Sequence, residues 1–433
     1  MININRLNIE KRVFNDAVDA YVPKTAFISL NSSLKDIKSS SSDIKKKLPA
    51  ENTRVEEGQI LLNKGSLEAC VHASIPGIVT GYKEISMPNG KKSTAAVIKL
   101  DGKFSYLGRK LIKNNWKSFT ELEIISMLAE KGVYNSFYNT KSLASEIMEC
   151  NEKQIERRVF AVRLFDSDSS CSTDSFLVSY KKAEIFEGIA ILAKALKADK
   201  VYLLHDESYI ADENTAKEAF ENLEYKFIQF STKKYPFVNK LRITENLRKN
   251  KDYTQPVLFT DSKTVYSVFE SIAYSKPVLE TYVQVSGNAV SKPSMLKVRI
   301  GTPISELIEQ CGGLKSQPYK VIINGMIKGI SISDLNTPVT SYVKSIFLLT
   351  RFAVSDQKQI HCIRCGNCHR ACPVGLQPDK IFASFFFNTE IPDPIKKSIS
   401  KCTICGTCNM SCPSRLPLSQ TMSLIKGEKI NER

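Results

Sequence analysis

Apolar and polar positions follow three successive rhythms along this chain of 433 residues. From residue 20 to 105, short apolar runs separated by turn residues predict a small β domain. Within it, Val55-Glu-Glu-Gly58-Gln-Ile-Leu61 precedes Val71-His72-Ala-Ser-Ile-Pro76-Gly77-Ile-Val79, so Gly58 and Pro76-Gly77 mark tight turns between strands. From 115 to 275, helical and strand patterns alternate, which predicts an α/β layer structure. Ser179–Ala198 places Ile185, Ile189, Leu192 and Leu196 on one helical face and leads into the buried-strand run Val201–Leu204. His205 ends that strand, and the reading favoured for a lone histidine there is structural. From 278 to 345, Thr281–Gly287, Lys297–Ile304 and Val321–Gly325 read as strands. Ser305–Cys311 reads as a short helix stopped by Gly312-Gly313. Ile381–Phe387 predicts one more helix near the C-terminus.

These rhythms give a multidomain α/β + β chain. The expected domains are a barrel-sandwich hybrid of the lipoyl type over 1–110, a Rossmann-like α/β domain over 111–277, a β-grasp unit over 278–350 and a cysteine-rich region over 351–433. No lysine occupies the Pro76-Gly77 hairpin, so a swinging-arm role is not expected, and His72 reads as structural. No apolar run is long enough to span a bilayer, and Met1–Phe14 lacks the apolar core of a signal peptide. The sequence therefore predicts a cytosolic chain.

The formal charge of +16 allows nucleic acid, anionic lipid or an acidic protein as partner. Basic stretches such as Lys45-Lys46-Lys47 and Lys233-Lys234 lack interleaved aromatics, so no nucleic-acid partner is expected. In 351–433, 12 Lys and Arg stand against 6 Asp and Glu. Part of that excess offsets anionic cofactors, if the cysteines there hold them.

Of the 12 cysteines, eight fall in two matching runs. They are Cys362-x-x-Cys365-x-x-Cys368-x-x-x-Cys372-Pro373 and Cys402-x-x-Cys405-x-x-Cys408-x-x-x-Cys412-Pro413. Two C-x-x-C pairs can also make a zinc site, but zinc needs only four ligands and gives no reason for two identical runs each ending in Pro. Both runs resemble the bacterial ferredoxin pattern, in which the fourth Cys of each run ligates the other cluster. That resemblance implies two [4Fe–4S] clusters. One would be held by Cys362, Cys365, Cys368 and Cys412, the other by Cys402, Cys405, Cys408 and Cys372. Cys70, Cys150, Cys171 and Cys311 are scattered and read as free thiols packed in cores.

The module order, together with Val285–Val290, Arg299–Ser305, Cys311-Gly-Gly313 and the cysteine runs, resembles the C subunit of the Rnf (Rsx) electron-transport complex. The resemblance runs from about residue 20 to 415, and its β-grasp unit is the family's soluble-ligand-binding (SLBB) domain. It implies a peripheral subunit on the cytoplasmic side of the cell membrane. Its expected partners are membrane and ferredoxin-like Rnf subunits and a ferredoxin. Such a complex moves electrons between ferredoxin and nicotinamide and couples that flow to ion translocation.

The family's NADH and FMN site departs here. Its Gly-rich loop, which would let backbone N–H groups approach phosphates, corresponds to Glu130–Thr140, where only Gly132 remains and Tyr134, Phe137 and Tyr138 intrude. The family's acidic segment corresponds to Arg163–Ser169, with Asp166 and Asp168 keeping acidity, and a further segment survives only as Tyr235-Pro236 with Lys240. Gly132, Asp166 and Asp168 are thus the remnant candidates for flavin or nucleotide contact, and the site is expected to be degenerate. The leading function is an electron relay through two clusters. The rivals are a soluble flavin-dependent reductase resembling the cobalamin reductase, and a docking subunit with structural clusters.

Overall fold

Strand Thr25–Ser29 pairs with Lys92–Leu100, which pairs with Gly77–Ser86, which pairs with Arg54–Val55, giving a four-stranded antiparallel sheet. A short ladder, Ile60–Leu62 on Val71–His72, packs beside it, and Ala26, Ile28, Leu61, Ile75, Val79 and Ile98 form the buried core. The computed structural model describes residues 2–3, 12–30, 48–137, 141–209, 211–221, 223–235, 240–249, 252–353, 358–391 and 393–431. Tyr138, Pro236 and Lys45-Lys46-Lys47 lie outside the described residues. The β module is less uniform than its short apolar runs predict, because two of its strands reach ten and nine residues. After a register shift between Val79 and Gly81, the half-polar stretch Tyr82–Ser86 keeps pairing although much of it faces solvent, so no apolar alternation announces it. Gly77 is required by close approach, since a Cβ there would lie 2.1 Å from the Lys99 carbonyl oxygen.

The α/β domain is built on four parallel strands. Their spatial order is Glu224–Gln229, Lys200–His205, Val159–Arg163 and Leu258–Asp261. Val159–Arg163 is flanked on one side by the next strand in sequence and on the other by the last, so the winding reverses between it and Leu258–Asp261. Ligands of open α/β sheets bind at the carboxyl ends of strands at such a reversal. Ile185, Ile189, Leu192 and Leu196 are all buried, as the periodicity predicts. The predicted single helix is nevertheless broken at Lys181, giving Thr173–Tyr180 and Lys182–Leu196. Lys181 leaves helical backbone (φ −131°), so each segment turns its own apolar face to the core.

Glu280–Ser286 and Ser294–Arg299 form an antiparallel pair in a six-stranded sheet. Ser345–Leu349 runs parallel to the first of them and carries Lys320–Ile323 and Ile330–Ile332 beyond it. On the opposite edge, Val18–Asp19 adds in parallel to Ser294–Arg299, so the N-terminal segment completes this sheet. The helix predicted at Ser305–Cys311 spans Ile304–Gln310, and Gly312 and Gly313 follow it in the left-handed region. Arg299 reaches from this sheet into the first β module, 2.5 Å from Glu57 and with both side chains buried. The C-terminal region is helical. Pro378–Phe386 carries Pro at its first turn, where the missing N–H costs nothing, and packs on Leu418–Asn431. Among the described residues, no helix is long and apolar enough to cross a membrane.

The join between the modules has an acid-sensitive element. Glu280 is ion-paired with Lys276, with Lys297 at 2.7 Å and with Arg299 at 3.7 Å. Burial alone would raise its pKa, but these three cations reverse the effect and hold the carboxyl at about 2. The folded value lies below the ordinary 4.5, so this stabilisation is complete above pH 4.5 and is lost as pH falls toward 2. Its size is on the order of 3 kcal/mol. Denaturant titrations of wild type and Glu280→Gln between pH 7 and 3 are expected to show a gap that closes as pH falls.

Candidate functional site

The two cysteine runs fold alike. Arg364 and Ile404, each between the first and second Cys of its run, take left-handed backbone at φ 54° and 50°. Gly366 and Gly406, after the second Cys, do the same at 72° and 75°. This winding turns backbone N–H groups inward. The N–H of Arg364 donates to Cys362 Sγ and that of Ile404 to Cys402 Sγ, both at 3.4 Å, and the N–H of Leu376 donates to Cys372 Sγ at 3.3 Å. Such N–H···S bonds stabilise thiolate charge and raise the potential of a cluster held there. Short helices, Asn367–Ala371 and Thr407–Met410, then present the third cysteines, Cys368 and Cys408.

Three cysteines of the first run share a cavity with one of the second. Cys362, Cys365 and Cys368 line a cavity whose fourth cysteine is Cys412, with Asp379, Leu416 and Leu418 also in its wall. Burial pushes the Cys408 thiol up to about 12, with Cys405, Cys402 and then Cys372 adding to the shift. Cys372 of the first run is close enough to Cys402 and Cys408 to add to the shifts of both thiols. Among the described residues, no three Cys, His, Asp or Glu side chains stand close enough to grip a single ion. Around the first run the four sulfurs line open space, so that donor set fits a polynuclear cluster. Cys70, Cys150, Cys171 and Cys311 are free and buried, as the sequence predicts.

The two groups face different surroundings. Cys362 and Cys365 are exposed at the molecular surface. Cys402 and Cys405 instead line a large cavity, with about 2260 Å³ of open space, whose other walls are the α/β and β-grasp domains. Phe137, Arg163, Asp166, Asp174, Lys240, Lys328 and Lys344 look into it. This is the carboxyl end of the parallel sheet at the winding reversal.

The wall of that crevice carries paired charges of the protein itself. Arg163 Nη2 lies 3.2 Å from Asp174 and 3.4 Å from Asp261, while Lys344 Nζ lies 2.7 Å and 2.6 Å from the same carboxylates. The ring of Phe137 covers the Arg163 guanidinium, 4.9 Å from its centroid, and the Ser136 hydroxyl donates to Asp261 at 2.6 Å. Burial opposes ionisation of Asp261, yet Lys344 and Arg163 hold its carboxyl well below the usual range. In Asp174 burial outweighs the same cations and its pKa is raised.

The three remnant candidates do not converge on a ligand. Asp166 accepts from the backbone N–H groups of Asp174 and Ser175 at 2.9 and 3.1 Å, and from the Ser175 hydroxyl, so it caps the helix Thr173–Tyr180. Asp168 accepts from the Ser170 and Ile327 N–H groups, both at 3.0 Å, and pins a β-grasp turn to the α/β domain. Gly132 (φ +78°) lies against the first β module, where a Cβ would come within 2.6 Å of the Cys70 carbonyl oxygen. It lines a separate small cavity with His72 and Tyr134. There burial, then Lys131, pushes His72 down to about 4, so its ring is neutral and structural at pH 7. His205 bonds the Asp206 carbonyl through Nδ1 and packs on Tyr209 and Phe227, away from the residues that line the large cavity. In the sequence Tyr235 reads only as a remnant of a nucleotide segment. Its buried hydroxyl donates to the Cys405 carbonyl at 2.8 Å, tying the α/β domain to the second cysteine loop across 170 residues.

Residues 282–330 match the SLBB domain and residues 361–416 match the 4Fe-4S dicluster domain. The chain is 25% identical over 334 residues to the C subunit of the proton-translocating ferredoxin:NAD(+) oxidoreductase complex of Clostridium ljungdahlii, covering 76% of this chain and 72% of that protein. It is 27% identical over 396 residues to the C subunit of the ion-translocating oxidoreductase complex of Rhodobacter capsulatus, covering 88% and 74%. A NAD+-reducing [NiFe]-hydrogenase in the H2-reduced state aligns with a TM-score of 0.47 and 12% identity, covering 73% of this chain and 62% of that one.

Because Lys344 crosses from the β-grasp domain to two buried carboxylates, its removal strands charge inside the protein. Lys344→Met is expected to lower stability by about 3–5 kcal/mol at pH 7. Denaturant titration should show the deficit shrinking as pH falls from neutral, because burial already raises the Asp174 carboxyl and it then takes up a proton.

Proposed function

We propose that this chain, which belongs to the C-subunit family of Rnf-type ion-translocating oxidoreductases, relays single electrons through two [4Fe–4S] clusters. One cluster is held by Cys362, Cys365, Cys368 and Cys412, the other by Cys402, Cys405, Cys408 and Cys372. The observation that carries this reading is Cys412 in the wall of the first run's cavity, 40 residues or more from the three cysteines beside it. Bound there, each cluster supplies reversible storage of one electron. The chain's own contribution is to shield both groups with Leu416, Leu418 and Phe382 and to direct N–H groups at their sulfurs.

In this reading 1–110 is a barrel-sandwich hybrid that lends Val18–Asp19 to the β-grasp sheet, 111–277 is α/β, 278–350 is SLBB and 351–433 is the dicluster domain. The protein sits peripherally on the cytoplasmic side of the membrane. It exchanges electrons with the membrane and ferredoxin-like subunits of a complex that couples electron flow to ion movement.

The α/β domain does not bind FMN or NADH in this reading. Phosphates need backbone N–H groups at short range, and here the loop that would supply them keeps only Gly132, turned to the first β module, while Asp166 and Asp168 accept from backbone donors. Loss of several charge-assisted hydrogen bonds, each worth roughly 1.5–3 kcal/mol, lowers affinity by orders of magnitude.

Anaerobic preparations are expected to contain about eight irons and eight acid-labile sulfides per chain. Cys412→Ala should abolish the paramagnetic signal of the cluster that Cys362→Ala also abolishes, and spare the one lost with Cys402→Ala. Loss of the second signal instead would defeat the crossed pairing.

The purified chain should carry no flavin. Micromolar NADH should leave the cluster absorbance unchanged while dithionite bleaches it. Rapid bleaching by NADH would return the protein to the flavin-dependent reductases.

A further inference from the structure

The two cysteine runs continue into helices that differ in charge. Aligning Cys372 with Cys412 brings Leu376 opposite Leu416, Asp379 opposite Ser419 and Phe386 opposite Lys426. The repeat is structural as well, since Leu376 and Leu416 are both buried. The helices Pro378–Phe386 and Leu418–Asn431 pack on each other through Ile381, Met422 and Ile425. Each run therefore serves as an internal control for the other.

Asp379 lies half-buried in the wall of the cavity that Cys362, Cys365, Cys368 and Cys412 line, and no cation pairs with it among the described residues. Its counterpart Ser419 is neutral and gives its N–H to Asn409 Oδ1 at 2.7 Å. Lys426 is half-buried in the wall of the large cavity, where its Nζ donates to the Cys402 carbonyl at 2.6 Å and to the Ser400 carbonyl at 3.3 Å. It too has no ion pair among the described residues, so an uncompensated ammonium is fixed beside the second loop. Its counterpart Phe386 is neutral and 64% exposed. Lys240 and Lys328, also without ion pairs among the described residues, face the same large cavity.

Reduction adds one negative charge to an iron–sulfur cluster, so a fixed carboxylate beside it opposes the change and a fixed ammonium favours it. Water and the exposed Arg364 and Arg370, which stand opposite Ile404 and Met410, act the other way at the first loop. Surface charges are screened by water and salt, whereas half-buried ones are screened less. We propose that Asp379 and Lys426 are potential-setting residues of the relay. Asp379 lowers the potential of the first cluster and Lys426 raises that of the second, so both bias a shared electron toward the second. This rests on the relay reading above. The step concerned moves one electron from the first cluster, which is oxidised, to the second, which is reduced. No bond forms or breaks and no proton moves.

The test is an anaerobic potentiometric titration of the full chain with its clusters, followed by paramagnetic resonance. The two signals are assigned with Cys362→Ala and Cys402→Ala, and iron is counted in every variant. Asp379→Asn keeps the shape and removes the charge. It should raise the potential of the first signal, leave the second in place and shift the equilibrium between them about tenfold toward the first, which is about 59 mV for a one-electron couple. Lys426→Met should lower the second signal alone by a similar factor, and the double variant should combine the two shifts. Asp379→Glu and Lys426→Arg, which keep the charges, should stay near wild type. A role confined to helix or loop packing would not separate the charge-keeping variants from the charge-removing ones. Full iron with unmoved potentials in Asp379→Asn and Lys426→Met overturns the proposal, as does an equal shift of both signals in either variant. Loss of iron from these two and also from Asp379→Ser and Lys426→Gln overturns it as well, because the residues then serve to retain the clusters. Wild-type protein without two one-electron signals instead defeats the relay reading itself.

Discussion

Four buried charges hold the centre of this molecule together. Arg163 and Asp261 end the two strands between which the sheet reverses its winding, Asp174 begins the helix beyond, and Lys344 arrives from the β-grasp domain. In a low-dielectric interior each charge is costly alone and acceptable only with its partners. The domains therefore have one relative placement that satisfies all four. Lys263, buried beside them with its ammonium on the Val343 carbonyl at 2.5 Å, ties the same segment a second time.

The same arrangement lines the carboxyl end of the parallel sheet with the protein's own paired charges. The carboxyl ends of parallel strands form a crevice whether or not a ligand lies in it. Here salt bridges, the Phe137 ring and the Ser136 hydroxyl answer the polar groups that a nucleotide would answer. What remains is a cation-rich chamber with the second cysteine loop as one wall. Tyr235 fixes that wall through its hydrogen bond to the Cys405 carbonyl.

Local patterns in the sequence were legible where the chemistry is local. Cysteine spacing announced both loops, and a 3.6-residue period announced the buried face of Lys182–Leu196. The break at Lys181 was not legible, because the apolar period continues through it. The long hairpin Gly77–Ser86 with Lys92–Leu100 was hidden by its half-exposed outer part. The left-handed turns at Arg364 and Ile404 were also hidden, since neither residue type announces such a backbone. Asp166 and Asp168 show the limit most clearly. Their acidity reads as ligand chemistry, yet their partners are backbone N–H groups, those of Asp168 reaching as far as Ile327 and Lys328. A helix cap and a domain tether look the same in sequence as a binding carboxylate.

The place of Cys412 in the first loop's cavity governs the order of events at the ribosome. The segment that contains Cys362, Cys365 and Cys368 emerges before its fourth sulfur, and Cys372 emerges before the loop it faces. Neither sulfur set can close until nearly the whole chain has been made. By then the β modules and the parallel sheet can already have folded, domain by domain. Metal loading would thereby be a late step for both loops, and a nascent chain truncated before residue 408 would be left with neither full set in place.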